Sequence, residues 1–143
     1  MKKDFGSFST RLSYSYLKSI RYWNDYPKSA PPEFDITHNI NVIVNYSILS
    51  NLMVGGRFIY STGKPYTPQG AEFHSGRIPD YYKIDLNMYY LHSFYPGNLT
   101  VFYLMVNNIT DRVNILDYHN GDKSNPVTTS YRRLFYFGIS FEI

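Results

Sequence analysis

Four histidines, His38, His74, His92 and His119, are the side chains of this sequence best able to hold a metal or move a proton near neutral pH. Their spacing fits no ligand pattern. In "DYH", Asp117 and His119 share a face if the segment is extended, but a metal site needs a third and fourth ligand that the sequence does not supply. The carboxylates are scattered, with no pair spaced for acid–base work, and no nucleophile, phosphate-loop or dinucleotide motif occurs. The "GG" at 55–56 is a lone pair inside a strand pattern. These residues predict no enzyme, no metal and no cofactor. A second polar set, Arg57, Lys83, Asp85 and Asn87, alternates with apolar residues in two segments. Side chains so placed share one strand face, where they can touch a solute or brace a wall.

The elements that position this second set are strands. Aromatics make up 19% of the 143 residues, with 16 Tyr and 10 Phe, and the only alanines are Ala30 and Ala71. Aromatic residues favour strands and alanine favours helices, so the mixture predicts an all-β chain forming one domain. The mean hydropathy is −0.35, and the longest apolar run, residues 101–106, is far short of the roughly 18 residues of a membrane helix. A spanning helix is excluded. A spanning barrel is not, because its strands bury only alternate residues in lipid.

The chain has no cysteine, so thiol and disulfide chemistry are absent. Its net charge of +3 comes from scattered Lys and Arg without a basic stripe, which argues against nucleic acid as a partner. The start, "MKKDFGSFST", lacks the apolar core of a secretory signal. An exported protein would carry that signal in sequence outside this chain.

Period-two patterns predict six strands, at about 8–17, 36–48, 52–61, 82–90, 99–108 and 135–143. The fourth is the cleanest: Ile84, Leu86, Met88 and Tyr90 oppose Lys83, Asp85, Asn87 and Tyr89. The fifth, "LTVFYLMVNN", is apolar on both faces, so its facing stays open. Only "LSN" separates strands two and three, and "FYPGN" separates four and five. The other connections, about 18–35, 62–80 and 113–131, are long and rich in turn formers. In an antiparallel up-and-down meander, this alternation gathers the long loops at one end and puts the short turns and both termini at the other. Aromatics cluster near the strand ends, at 21–23, Tyr60, Tyr66, 80–82, 89–90, 94–95 and Tyr131. Outer-membrane barrels sort their loops and aromatics in this way, and a β-sandwich or lipocalin-like barrel is the other fold these patterns permit.

The succession "DITHNINVIVNYSI", "GGRFIYSTGKPYTP", "GRIPDYYKIDLNMYY", "VFYLMVNNITDRVN" and "RRLFYFGISFEI" resembles the C-terminal strands of TonB-dependent outer-membrane receptors, especially those of Bacteroidetes-like bacteria. The resemblance covers about Asp35 to Ile143 in the family's order. It implies that residues 1–143 are the C-terminal part of a transmembrane β-barrel of the bacterial outer membrane, with the plug and N-terminal strands absent. Such receptors close roughly 22 strands around a plug, whereas the smallest membrane barrels have about eight. Six strands then read as a fragment. Arg57, Lys83, Asp85 and Asn87 become lumen-facing residues, and "STGKPYTP", "RIPDYYKIDL" and "NNITDR" take structural roles at strand ends.

The resemblance further implies uptake of a large or scarce nutrient: a siderophore, a cobalamin or a glycan. Its partners are outer-membrane lipid, the barrel assembly machinery and the TonB system acting through the missing plug. Phe137, Ile139, Phe141 and Ile143 form the alternating C-terminal pattern that the assembly machinery captures by strand addition. The family ends this pattern on an aromatic, and here the last residue is Ile143. A soluble β-rich module gripping a ligand such as carbohydrate with aromatic loops is the alternative function.

Overall fold

A computed structural model describes residues 2–22, 29–129 and 132–142. Among these, seven strands form one antiparallel sheet, in the order β1 (Lys2–Phe5), β2 (Phe8–Tyr16), β3 (His38–Leu49), β4 (Leu52–Ser61), β7 (Tyr81–His92), β8 (Leu99–Asn107) and β11 (Leu134–Glu142). The loops add two small hairpins: β5 (Pro65–Tyr66) with β6 (Gly76–Arg77), and β9 (Ile115–Tyr118) with β10 (Pro126–Thr128). The chain is all-β and the main sheet is an up-and-down meander. It is open, with β1 and β11 at opposite edges.

The sheet has one strand more than the six expected. In "KKDFGSF", Gly6 at φ 64° opens a two-residue turn with Ser7, and Phe5 pairs with Phe8 across it. Glycine followed by one residue between two extended runs is a hairpin signal, which the short apolar content of β1 masks. This hairpin also corrects the expected position of the N-terminal end: Lys2 stands opposite Arg11, midway along β2, and not at the short-turn end. The three short connections, through Gly6 and Ser7, Ser50 and Asn51, and residues 93–98, do lie at one end. The described parts of the three long ones, 17–37, 62–80 and 108–133, lie at the other.

The register shows why the alternation exists. Thr10, Val44, Gly56, Leu86, Val106 and Phe135 stand side by side across six strands. The next row on the same face is Phe8, Tyr46, Val54, Met88, Leu104 and Phe137. The facing of β8 is thereby settled: Phe102, Leu104 and Val106 join the apolar face, and Val101, Tyr103 and Met105 the other. Toward the long loops this face carries Tyr14, Tyr60 and Tyr82 in one row, and toward the short turns Tyr90 beside Phe102. Trp23 and Tyr131, also expected in the aromatic bands, lie outside the described residues.

Among the described residues, no second layer covers the apolar face. Leu12, Leu86, Met88, Leu104, Phe135, Phe137 and Ile139 are all exposed, Phe137 by 84%. The chain exposes 9849 Å², whereas a compact soluble monomer of 16.8 kDa exposes roughly 7,700 Å². That excess is the mark of a single-layer sheet. Apart from Thr100, the buried side chains lie off the main sheet, most of them in the long loops: Ala30, Pro32, Asp35, Pro65, Tyr66, Ile78, Asn108 and Asn114.

Candidate functional site

The sheet's polar face holds the residues that alternation singled out. Arg57 stands opposite Asp85, with Lys83 and Asn87 on the same face. Lys83 contacts Asp85 at 3.2 Å. Arg57 turns elsewhere, donating from Nε to Asn41 Oδ1 at 3.0 Å, and Asp85 Oδ1 accepts the Asn108 backbone N–H at 2.8 Å. Asn87 and Asn45 close from either side over Gly55, where any Cβ would meet Asn45 Oδ1 at 2.8 Å and the Asn87 amide closer still. Lys83 and Asp85 pair within β7, Arg57 reaches Asn41 on β3, and the four residues do not converge on one pocket. The C-terminal pattern falls on the other face: Phe137, Ile139 and Phe141 project from edge strand β11, and Ile143 lies outside the described residues.

The long loops build a separate polar structure above the sheet. "STGKPYTP" leaves β4 and returns through "GRIPD". Asp80 closes the neck of this loop, accepting from Tyr60 Oη at 2.7 Å and the Gly63 N–H at 3.0 Å. Arg77 donates to the Asp35 carboxylate at 2.6 Å, and to the carbonyls of Asp35 and Gly63, each at 2.9 Å. Asp35 is 1% exposed and also accepts the Ser19 N–H at 3.3 Å. A carboxylate so buried is tolerable only with this charged and hydrogen-bonded partner.

The third loop docks by mimicking a strand. Beyond Leu86, β7 has outrun its ladder with β8, and the Asn114 side chain takes the vacant place. Its Nδ2 donates to the Tyr82 carbonyl at 3.0 Å and its Oδ1 accepts the Tyr82 N–H at 3.2 Å. Arg112 donates to Asn114 Oδ1 at 3.1 Å and lies 4.0 Å from the Tyr82 ring centre. In "NNITDR", Asn108 at φ 53° donates to the Arg112 carbonyl and accepts the Arg112 N–H, which turns the chain out of β8.

Lys64 joins all three loops. Its Nζ lies 2.9 Å from Glu33 in the first loop and 2.8 Å from Asp117 in the third. Burial pushes the Asp117 carboxyl up, but the Lys64 ammonium and the Tyr118 N–H outweigh that and hold it below its ordinary value. Burial likewise pushes Lys64 down, and its bonds to Asp117 and Glu33 leave it raised. Asp117, considered above with His119, is thus spent on a cation from another loop.

Between the second and third loops lies a cleft of about 490 Å³, lined by Tyr66, Gln69, Asp117, Tyr118 and Asn120, with Glu33 at its side. The Tyr66 and Tyr118 rings meet at 4.8 Å, tilted by 54°. The Gln69 N–H donates to the Gly121 carbonyl at 3.2 Å and ties the two walls. Tyr66 is 5% exposed, and its hydroxyl has no partner among the described residues. Sequence reasoning missed this site, since its residues come from three loops and carry no periodic signal.

The histidines stay apart. His38 contacts Tyr14 and Tyr16, His92 lies near Tyr90 and Phe94, and His74 Nδ1 donates to the Pro31 carbonyl at 2.7 Å. Among the described residues, no three His, Asp or Glu side chains gather as a metal site. No protein-family model, curated protein or solved structure matches the chain.

Proposed function

We propose that this chain is wall and outward loops of an outer-membrane transport barrel, the C-terminal portion of a TonB-dependent receptor for a large or scarce nutrient. One observation carries the reading: a single antiparallel layer whose apolar face is continuous and uncovered while its other face carries most of the sheet's polar and charged side chains. In water such a face is an aggregation surface; against lipid it is satisfied. Six of the strands run 9 to 12 residues, and a tilted transmembrane strand needs about 9–11. Aromatic rows flanking a largely aliphatic middle, and long loops gathered at one end, support the same reading.

In this role the segment carries out no chemistry. Lipid meets the face bearing Val44 and Leu86, and the remaining strands and plug of the receptor would complete the barrel and couple it to TonB. Phe137, Ile139 and Phe141 on edge strand β11 suit capture by the assembly machinery through strand addition. Arg57, Lys83, Asp85 and Asn87 face the lumen and brace it.

The test is partition of the refolded chain between buffer and lipid vesicles. The chain should enter vesicles, and Leu86→Arg or Val44→Arg should prevent it. A detergent-free, monodisperse chain indifferent to both substitutions would overturn the proposal and leave a soluble ligand-binding module in its place.

A further inference from the structure

We infer that Tyr103 and Gly138 form the lock that sets the register of the terminal strand, so that β11 pairs with β8 in one alignment only. The lock belongs to the chain's own sheet and goes beyond the transport reading, which stands or falls without it.

Alternation alone does not fix this alignment. Sliding β11 by two residues along β8 keeps every side chain on its own face, and on the apolar face it changes little. There Phe135, Phe137, Ile139 and Phe141 stand opposite Val106, Leu104, Phe102 and Thr100, and after a slide most large apolar side chains still meet large apolar side chains. As an edge strand, β11 has no second neighbour among the described residues to hold it. The pattern that suits capture by strand addition therefore leaves open where along β8 the strand comes to rest.

The other face tells the alignments apart. There Met105, Tyr103 and Val101 of β8 stand opposite Tyr136, Gly138 and Ser140. The Tyr103 ring lies over Gly138: a Cβ at this position would run into the ring's Oη and Cζ and stand 2.9 Å from its Cε1. Two residues either way, Tyr136 or Ser140 would face the ring, and each carries the Cβ that the ring excludes. Gly138 is not among the glycines with positive φ, so the backbone does not call for glycine here, and glycine inside a strand ordinarily weakens it. The ring uses the space it leaves, an aromatic covering a glycine across the ladder. Both ends of the strand agree with this alignment. Asp111 Oδ1 accepts the Arg133 N–H at 2.9 Å, and Asn98 Nδ2, its amide oxygen held by the Thr100 hydroxyl, donates to the Glu142 carbonyl at 3.1 Å. Those contacts grip backbone and would accept any side chain at 133 or 142, whereas the ring accepts only glycine.

The chain has no cysteine, so introduced pairs report register without interference. In the full chain refolded in detergent micelles, Val101→Cys with Ser140→Cys marks the observed alignment. Val101→Cys with Glu142→Cys and Leu99→Cys with Ser140→Cys mark the two slipped ones, because a disulfide forms only between residues that face each other closely. The readout is the slipped share of all cross-linked chain after oxidation, in which unfolded molecules do not count. Gly138→Ala and Tyr103→Ala should each raise that share about threefold to fivefold. Tyr103→Phe, which keeps the ring, and Met105→Ala, the neighbouring position on the same face, should leave it unchanged. Gly138→Ala added to Tyr103→Ala should cause no further slip, because the methyl matters only beneath the ring. A slipped share unmoved by Gly138→Ala, additive effects in the double variant, or equal slip in Met105→Ala would each overturn the lock.

Discussion

The main sheet and the loop cap are built on opposite terms. The sheet holds long hydrogen-bonded ladders and almost no buried side chain, so its apolar residues depend on what lies outside the protein. The cap holds most of the buried groups, and many are polar: Asp35, Asn108 and Asn114 are each satisfied by a specific partner. Substitutions in the sheet should therefore act through the environment and those in the cap through local unpairing.

The largest contrast lies between the two faces of β7. Leu86→Arg places a charge on the apolar face and should cost about 2–4 kcal/mol in vesicle insertion near the bilayer midplane. Asn87→Arg, one residue along and on the polar face, should cost far less in the same partition assay. Equal effects would erase the distinction between faces.

Arg77→Ala should follow, at about 3 kcal/mol, because it leaves Asp35 buried without its cation. Limited proteolysis of the long loops should detect it, with the sheet still protected. The matched change on the sheet, Arg57→Ala, removes one exposed bond to Asn41 and should cost less than about 1 kcal/mol. Gly55→Ala comes next, at about 1–3 kcal/mol, since its methyl displaces Asn45 and Asn87. Urea midpoints in detergent would report it, and Asn87→Ala should relieve part of the loss.

The smallest effect is the Lys64 junction, worth about 1 kcal/mol because its partners are partly exposed. Asp117, depressed below its ordinary 3.8, contributes fully above that pH and loses its contribution as pH falls through the lower folded value. Lys64, raised above 10.5, contributes fully below that pH and loses its contribution as pH rises through the higher folded value. Proteolysis of the cap should be flat between about pH 4 and 10 and increase beyond both limits. Lys64→Met should shrink both inflections, the acid one not to nothing because the Tyr118 N–H still bonds Asp117.

The bounds of β3, β4, β7 and β8 were legible to within a residue or two, because alternation of Val42 with Asn41 or Leu86 with Asp85 is set by the pleat itself. The facing of β8 was not, since Val101, Tyr103 and Met105 are as apolar as Phe102, Leu104 and Val106. Pairing with β7 and β11 chose between them. The polar-face placement of Arg57, Lys83, Asp85 and Asn87 was legible by period, while the loop contacts of Lys64, Tyr66 and Asp117 were not. Lys64 and Asp117 are 53 residues apart, and no local pattern marks one for the other.

By itself the sequence determined the all-β class, the positions of six strands, which residues share a strand face and the sorting of long from short loops. Each of these follows from local backbone geometry and turn chemistry. Only the tertiary structure decided the β1 hairpin's effect on the N-terminal end, the facing of β8, the Asn114 side chain standing in for a strand and the three-loop junction at Lys64. Those depend on which distant groups are brought within hydrogen-bonding distance, and that is set by register across the whole sheet.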